Sequence, residues 1–181
     1  MLSATPAPRF NPDTWRFRVT GQVEHPITLT YAELLDLPHV EVRSDIHCVT
    51  RWSRLDNLWE GVAFRTVAEM VQPKPEAAFV LVRCMVPYTA NLPLDVCMDD
   101  DVLFAHTHDG LPLTPEHGWP LRLVVPKRYF WKSAKWVNGV EFMEKDQLGF
   151  WEKLGYHNEG DPWAEQRRSL NLSLRVPKRF R

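Results

Sequence analysis

The stretch SDIHCVTRW, residues 44–52, sets Cys48 directly behind His47 and follows it with Thr50, Arg51 and Trp52. Val40 and Val42 alternate with polar residues just upstream, so Cys48 is expected where a strand meets a loop. A thiol ionises near neutral pH when cations or a soft metal stand beside it, and Arg51 and Arg54 supply positive charge. A cysteine on a strand also serves as a small apolar filler. Cys84, near Val82 and Met85, and Cys97, in a short amphipathic stretch, fit that second role better.

Two further groupings carry chemistry-bearing side chains. HTHDG holds His106 and His108 at i, i+2, a spacing that puts both rings on one face of a strand, and His117 follows nine residues later. Zinc would need further ligands, and neither HExxH nor CxxC is present. The segment PEHGWPLRLVVPKRYFWKSAKW interleaves Arg122, Lys127, Arg128, Lys132 and Lys135 with Trp119, Tyr129, Phe130, Trp131 and Trp136. Cationic groups hold phosphate and aromatic faces hold a flat ring, so the mixture suits a phosphorylated heterocycle. Single-stranded nucleic acid uses the same chemistry. However, 22 basic residues against 23 acidic ones leave a net charge of −1, not the broad basic field that a nucleic acid requires.

These groups need a scaffold, and the sequence suggests an irregular, strand-rich one. Fifteen prolines in 181 residues disfavour long helices. WRFRVTG alternates Trp15, Phe17 and Val19 and ends at Gly21, which predicts a strand with one buried face. Thr30 and Glu33 have capping-box spacing ahead of Leu34, Leu35 and Leu37, with Pro38 as the stop. Phe64, Val67, Ala68 and Val71 share one helix face, and AFVLVRCMV, PLRLVVP and KWVNGVEFM predict further strands. DVLFAHTHDGLPL turns at Asp109-Gly110, a hairpin dipeptide, and QLGFWEKLGY predicts a last short helix. Residues 1–168 are expected to form one domain and 169–181 a basic tail, whose alternating leucines suit a sheet edge. Three cysteines without CxxC spacing argue against structural disulfides. The amino-terminal residues lack the pattern of a secretory signal, and no apolar run reaches membrane-spanning length. The expectation is a soluble, cytoplasmic protein with no membrane or nucleic-acid partner.

Taken in order, DIHCVTRWS, LWEGVAFRTVAEMV, VPYTANLPLDVCMDDDVLFAHTHDGLPLTPEHGWPLRLVVP and SAKWVNGVEF resemble the molybdopterin-binding domain of sulfite oxidases and their bacterial relatives. The resemblance covers roughly residues 12–163. Its most specific part is DGLPLTPEHGWPLRLVVP with the later Lys135-Trp136, where the family pattern is G-x-P-L-x-x-x-H-G-x-P-x-R-x-x-V-P. It implies an α+β fold of mixed, mainly antiparallel sheets with short helices, and a molybdenum-molybdopterin cofactor (Moco). By the same resemblance Cys48 is the protein ligand of molybdenum, and His117 and Arg122 hold the pterin and its phosphate. Ser133 and Lys135 belong to the loop closing over the pterin, and Tyr88 lines the substrate pocket. From their nearness to Cys48 in the sequence, and not from the resemblance, Thr50, His47 or Arg51 are candidates to hydrogen-bond to the metal's other ligands or the thiolate.

The expected activity is oxygen-atom transfer to or from a small, sulfur-containing substrate, with the cofactor carrying the redox chemistry. Sulfite oxidases continue from the cysteine with A-G-N-R-R, whereas this chain reads Val49, Thr50, Arg51, Trp52 and Ser53. Ser53 replaces the second arginine, with Arg51 or Arg54 as substitutes, and Trp52 suggests a less charged substrate. The haem and dimerisation domains of longer relatives have no counterpart within the 181 residues, so electrons are expected to pass to or from a separate redox partner protein. Two rival readings are a molybdopterin storage or assembly module without turnover, and a zinc hydrolase built on His106, His108 and His117.

Overall fold

The structure is a computed structural model that describes residues 5–169; the alternating tail expected to pair with a sheet edge lies outside them. Among the described residues, ten strands form two sheets. In the first, β1 (Phe17–Gly21), β2 (Ile27–Leu29), β5 (Phe79–Cys84), β6 (Thr89–Pro93) and β10 (Val137–Met143) run in the order β2-β1-β10-β5-β6. Only the β1–β10 pair is parallel. In the second, β3 (His39–His47), β4 (Ser53–Ala63), β7 (Leu103–His108) and β8 (Leu111–Pro112) follow one another, and β9 (Arg122–Val124) pairs with β7. All pairs in this sheet are antiparallel. The mixed, mainly antiparallel α+β architecture is the one the sequence implied.

Local signals act where they were read. Trp15, Phe17 and Val19 are buried. Helix α1 (Tyr31–Leu35) starts on the Thr30–Glu33 capping box, with Thr30 Oγ1 accepting from the Glu33 amide at 3.2 Å and Glu33 Oε2 from the Thr30 amide at 2.8 Å. Helix α2 (Phe64–Val71) buries Phe64, Val67, Ala68 and Val71. The β7–β8 hairpin turns with φ of 51° at Asp109 and 76° at Gly110, both positive as a two-residue turn of this hand requires. Helices α3 (Leu94–Cys97) and α4 (Phe150–Lys153) are single turns.

The second sheet packs apolar groups on both faces. Val62 and Phe104 join the main core with Phe17, Val19, Phe64 and Phe142. Trp59, Ile46, Leu103, Ala105 and Val124 form a smaller core against Phe130 and Trp119. The β3–β4 hairpin ends over this smaller core, and its loop is residues 48–52.

Candidate cofactor site

β3 delivers Cys48 into a tight loop. The Cys48 amide donates to the Trp52 carbonyl (2.9 Å) and the Arg51 amide to the Cys48 carbonyl (3.0 Å), which folds Arg51 into the left-handed region at φ 70°. A residue with a Cβ adopts that conformation at a cost, which the surrounding hydrogen bonds must meet. The Cys48 thiol lies 3.0 Å from Thr50 Oγ1, and His47 Nδ1 lies 2.8 Å from Ser53 Oγ. Cys48 opens into a cavity of about 490 Å³ shared with His47, Arg51, Trp52, Tyr129, Glu165 and Arg167. The other thiols are different. Burial pushes Cys84 up to about 12 and raises Cys97 further, so both stay protonated in apolar surroundings.

A cationic cluster is built around β9. Arg122 is buried; its Nη1 donates to the His117 carbonyl (2.8 Å) and its Nη2 to the Ser133 carbonyl (3.1 Å). Its Nε is buried with no partner, and among the described residues the guanidinium makes no ion pair. The guanidinium stacks 4.2 Å from the Phe130 ring centroid and 5.4 Å from that of Trp59. Lys135 bridges to Arg122 through the backbone and gives its Nζ to the Glu116 carbonyl (3.1 Å). Burial, then repulsion from Arg122, lowers Lys135 to about 8. His117 is lowered for the same two reasons, and its Nδ1 lies 2.7 Å from Thr114 Oγ1. Ser133 faces inward, its hydroxyl accepting from the Val125 amide at 3.0 Å. Gly118, at φ 114°, sits where a Cβ would come within 3.0 Å of Arg122 Cβ and 3.3 Å of Lys135 Cβ. Phe130 joins the two halves, because its ring covers Arg122 while its amide donates to the His47 carbonyl at 2.8 Å.

Tyr88 does not line the Cys48 cavity; its hydroxyl donates to the Trp131 carbonyl and it borders a second cavity with Cys84 and Asn138. Tyr129 lines the Cys48 cavity instead, with a buried hydroxyl that has no partner. Of the five cations in the basic-aromatic segment, three are taken by carboxylates: Lys127 by Asp99 (3.0 Å), Arg128 by Glu159 (3.4 Å) and Lys132 by Glu152 (2.8 Å). Arg167, just ahead of the expected tail, reaches back to the Cys48 carbonyl (3.3 Å) and the Val49 carbonyl. No local signal marks it, since the contact spans 119 residues.

His106 and His108 do not share a face. Glu60 pairs with Thr107 but Gly61 pairs with Ala105, and this bulge turns His106 away from the side where His108 stacks 4.0 Å from Trp59. With His117 held on Thr114, the three histidines form no common site.

Residues 4–151 match the family described as the oxidoreductase molybdopterin binding domain. The chain belongs to this family. The chain is 49% identical over 153 residues to the uncharacterized oxidoreductase YuiH of Bacillus subtilis, covering 84% of this chain and 77% of that one. It is 31% identical over 163 residues to the protein-methionine-sulfoxide reductase catalytic subunit MsrP of Campylobacter jejuni, covering 81% of this chain and 54% of MsrP. The chain thus spans little more than half of that relative's length. The sulfane dehydrogenase SoxCD of Paracoccus pantotrophus superposes with a TM-score of 0.69 at 23% identity, covering 77% of this chain and 40% of that one. This likeness shows the fold. The family match and the sequence relatives make the chain an oxidoreductase domain of the sulfite oxidase-like, molybdopterin-binding kind.

Proposed function

We propose that Cys48 ligates molybdenum in a bound Moco and that the domain catalyses oxygen-atom transfer on a small sulfur-containing substrate, with a sulfoxide the first candidate. The observation that carries this reading is Phe130. Its ring covers a buried guanidinium that has no counter-ion among the described residues, and its amide bonds to the carbonyl of His47, the residue before the cavity-lining Cys48.

The residues present fit the cofactor. A soft thiolate donor suits molybdenum. Burying Arg122 without an anion is costly, and the pterin phosphate would neutralise it together with Lys135 and His117. Gly118 lets that phosphate approach the backbone, where any side chain would crowd Arg122 and Lys135. Bound there, the cofactor supplies two-electron oxygen-atom chemistry. Thr50 Oγ1 steadies the sulfur of Cys48, and the Arg51 turn and Arg167 fix its backbone.

Around the thiol, Tyr129 offers a hydroxyl with no protein partner, kept protonated because burial raises its pKa. Arg167 is partly neutralised by Glu165 (2.7 Å), so the cavity is less cationic than a site for a small dianion requires. That, and the exposed Trp52, favour a neutral sulfoxide over sulfite. The MsrP relatives, named as reductases of protein methionine sulfoxide, point the same way. Their description as catalytic subunits supports a separate redox partner for the electrons.

The test is turnover by cofactor-loaded protein with artificial electron carriers against sulfoxides, N-oxides and sulfite. The expected result is sulfoxide reduction that Cys48→Ser abolishes. Pterin bound without turnover on any of the three would instead identify a storage module.

A further inference from the structure

We propose that His39, Glu60 and His106 form a second metal site, independent of the cofactor, that binds a divalent cation of the zinc class. One donor atom from each residue lies within 4.8 Å of the others. They come from three adjacent strands: His39 opens β3, Glu60 is on β4 and His106 on β7. Among the described residues this is the one group of histidine, cysteine or acidic side chains that gathers its donors so closely.

The β-bulge creates the site. In unbroken register His106 would stand opposite Gly61, on the side of Trp59 and His108. The bulge at Glu60/Gly61 leaves His106 unpaired and turns it to the face that carries Glu60 and His39. Its ring then lies 4.7 Å from the ring of His39, tilted by 54°, and His39 Nδ1 is 3.8 Å from Glu60 Oε1. His106 Nδ1 is occupied by Thr107 Oγ1 at 2.8 Å, and its Nε2 is buried without any hydrogen-bond partner. With Nδ1 protonated and donating to Thr107 Oγ1, Nε2 would present its lone pair to a metal, which is how a ligating histidine is held.

Two imidazoles and a carboxylate are a donor set that zinc accepts, with water completing the tetrahedron. Bonds of about 2.0–2.1 Å bring donors closer together than they stand here. His39 on the edge strand β3 and Glu60 on β4 are both partly exposed and can rotate inward. Burial lowers the His106 pKa, which favours the neutral, ligating form. The cation would also offset Glu41, which stands opposite Glu60 in the β3–β4 register. The site lies at the far end of β3 from Cys48, roughly 30 Å away for nine residues at 3.3 Å each. Its effect would be to pin the β3–β4 hairpin, which carries the Cys48 loop, to β7.

The test is Zn²⁺ titration of chelator-stripped, full-length protein, read by calorimetry and by melting temperature, with Co²⁺ as a spectroscopic probe. A Cys48→Ser background removes the thiol as a competing ligand. The expected result is one Zn²⁺ per chain in parent and Cys48→Ser alike, a higher melting temperature with Zn²⁺, and a Co²⁺ spectrum without thiolate charge-transfer bands. Glu60→Gln and His106→Gln should each weaken binding at least tenfold. His39→Ala, at an exposed strand start, gives the same readout without threatening the fold. Stoichiometric Zn²⁺ that survives all three substitutions, zinc lost with Cys48→Ser, or no uptake by folded parent would each overturn the proposal.

Discussion

Arg167 Nη1 donates to the main-chain carbonyl of Cys48, so the last described stretch of the chain holds the loop that presents the thiol. The same nitrogen also bonds to Val49, and its guanidinium lies 4.7 Å from the centroid of the Tyr129 ring. One side chain thereby ties the Cys48 loop to a cavity wall. Arg167→Met should leave the fold intact but loosen this loop, because it removes hydrogen bonds between charged and neutral groups worth about 1.5–3 kcal/mol each. A fall in kcat of at least tenfold with cofactor content preserved is the expected split. Unchanged kcat would show that the loop holds itself.

Arg122 has the opposite signature. Its removal should empty the site: Arg122→Met is expected to lower pterin content at least tenfold, measured by fluorescence after oxidative release. It also leaves the His117 and Ser133 carbonyls without these donors, at about 1–3 kcal/mol for each buried group left unpaired. Arg122→Lys keeps the charge but loses the two-pronged geometry, so intermediate retention is expected.

Lys135 makes anion binding pH-dependent. Its pKa in the folded, cofactor-free protein is about 8, below its unfolded value. Between those two values the unfolded chain binds more protons, so the charge is a cost to folding that is fully present below pH 8 and relieved as pH rises. An anion reverses this by favouring the ammonium. Inorganic phosphate should therefore raise the melting temperature of cofactor-free protein less and less as pH climbs past 8, and Lys135→Met should flatten that dependence. A phosphate effect that stays constant to pH 10 in the parent would contradict the assignment.

The buried pair of Lys132 and Glu152 sets the stability of the segment behind the site. Their side chains are 1% and 2% exposed, and the ammonium also donates to the carbonyl (2.8 Å) and side chain (3.0 Å) of Asn91. Lys132→Met strands a buried carboxylate and should cost about 3–5 kcal/mol in denaturant unfolding. Adding Glu152→Gln should recover part of that loss. A single-variant cost below about 1 kcal/mol would mean that water reaches Glu152.

The elements most legible in the sequence were those set by neighbours in the chain. The Thr30–Glu33 box, the buried face of α2 and the Asp109-Gly110 turn depend on contacts within a few residues, and each forms as read. Residues placed by long-range packing were not legible. Lys132 looks like a phosphate ligand until Glu152 is seen beneath it, and His106 changes face because of one bulge that no local pattern encodes. Tyr129 and Arg167 reach the cavity only because residues far apart in the chain meet there. The loop around Cys48 falls between these cases: its sequence named the thiol, and the fold supplied the cavity.

X-ray absorption at the molybdenum edge, on protein loaded with cofactor, tests the central assignment most directly. The account predicts molybdenum–sulfur scattering from one more sulfur in the parent than in Cys48→Ser, the difference being the Cys48 thiolate. Identical sulfur shells in parent and variant would contradict it.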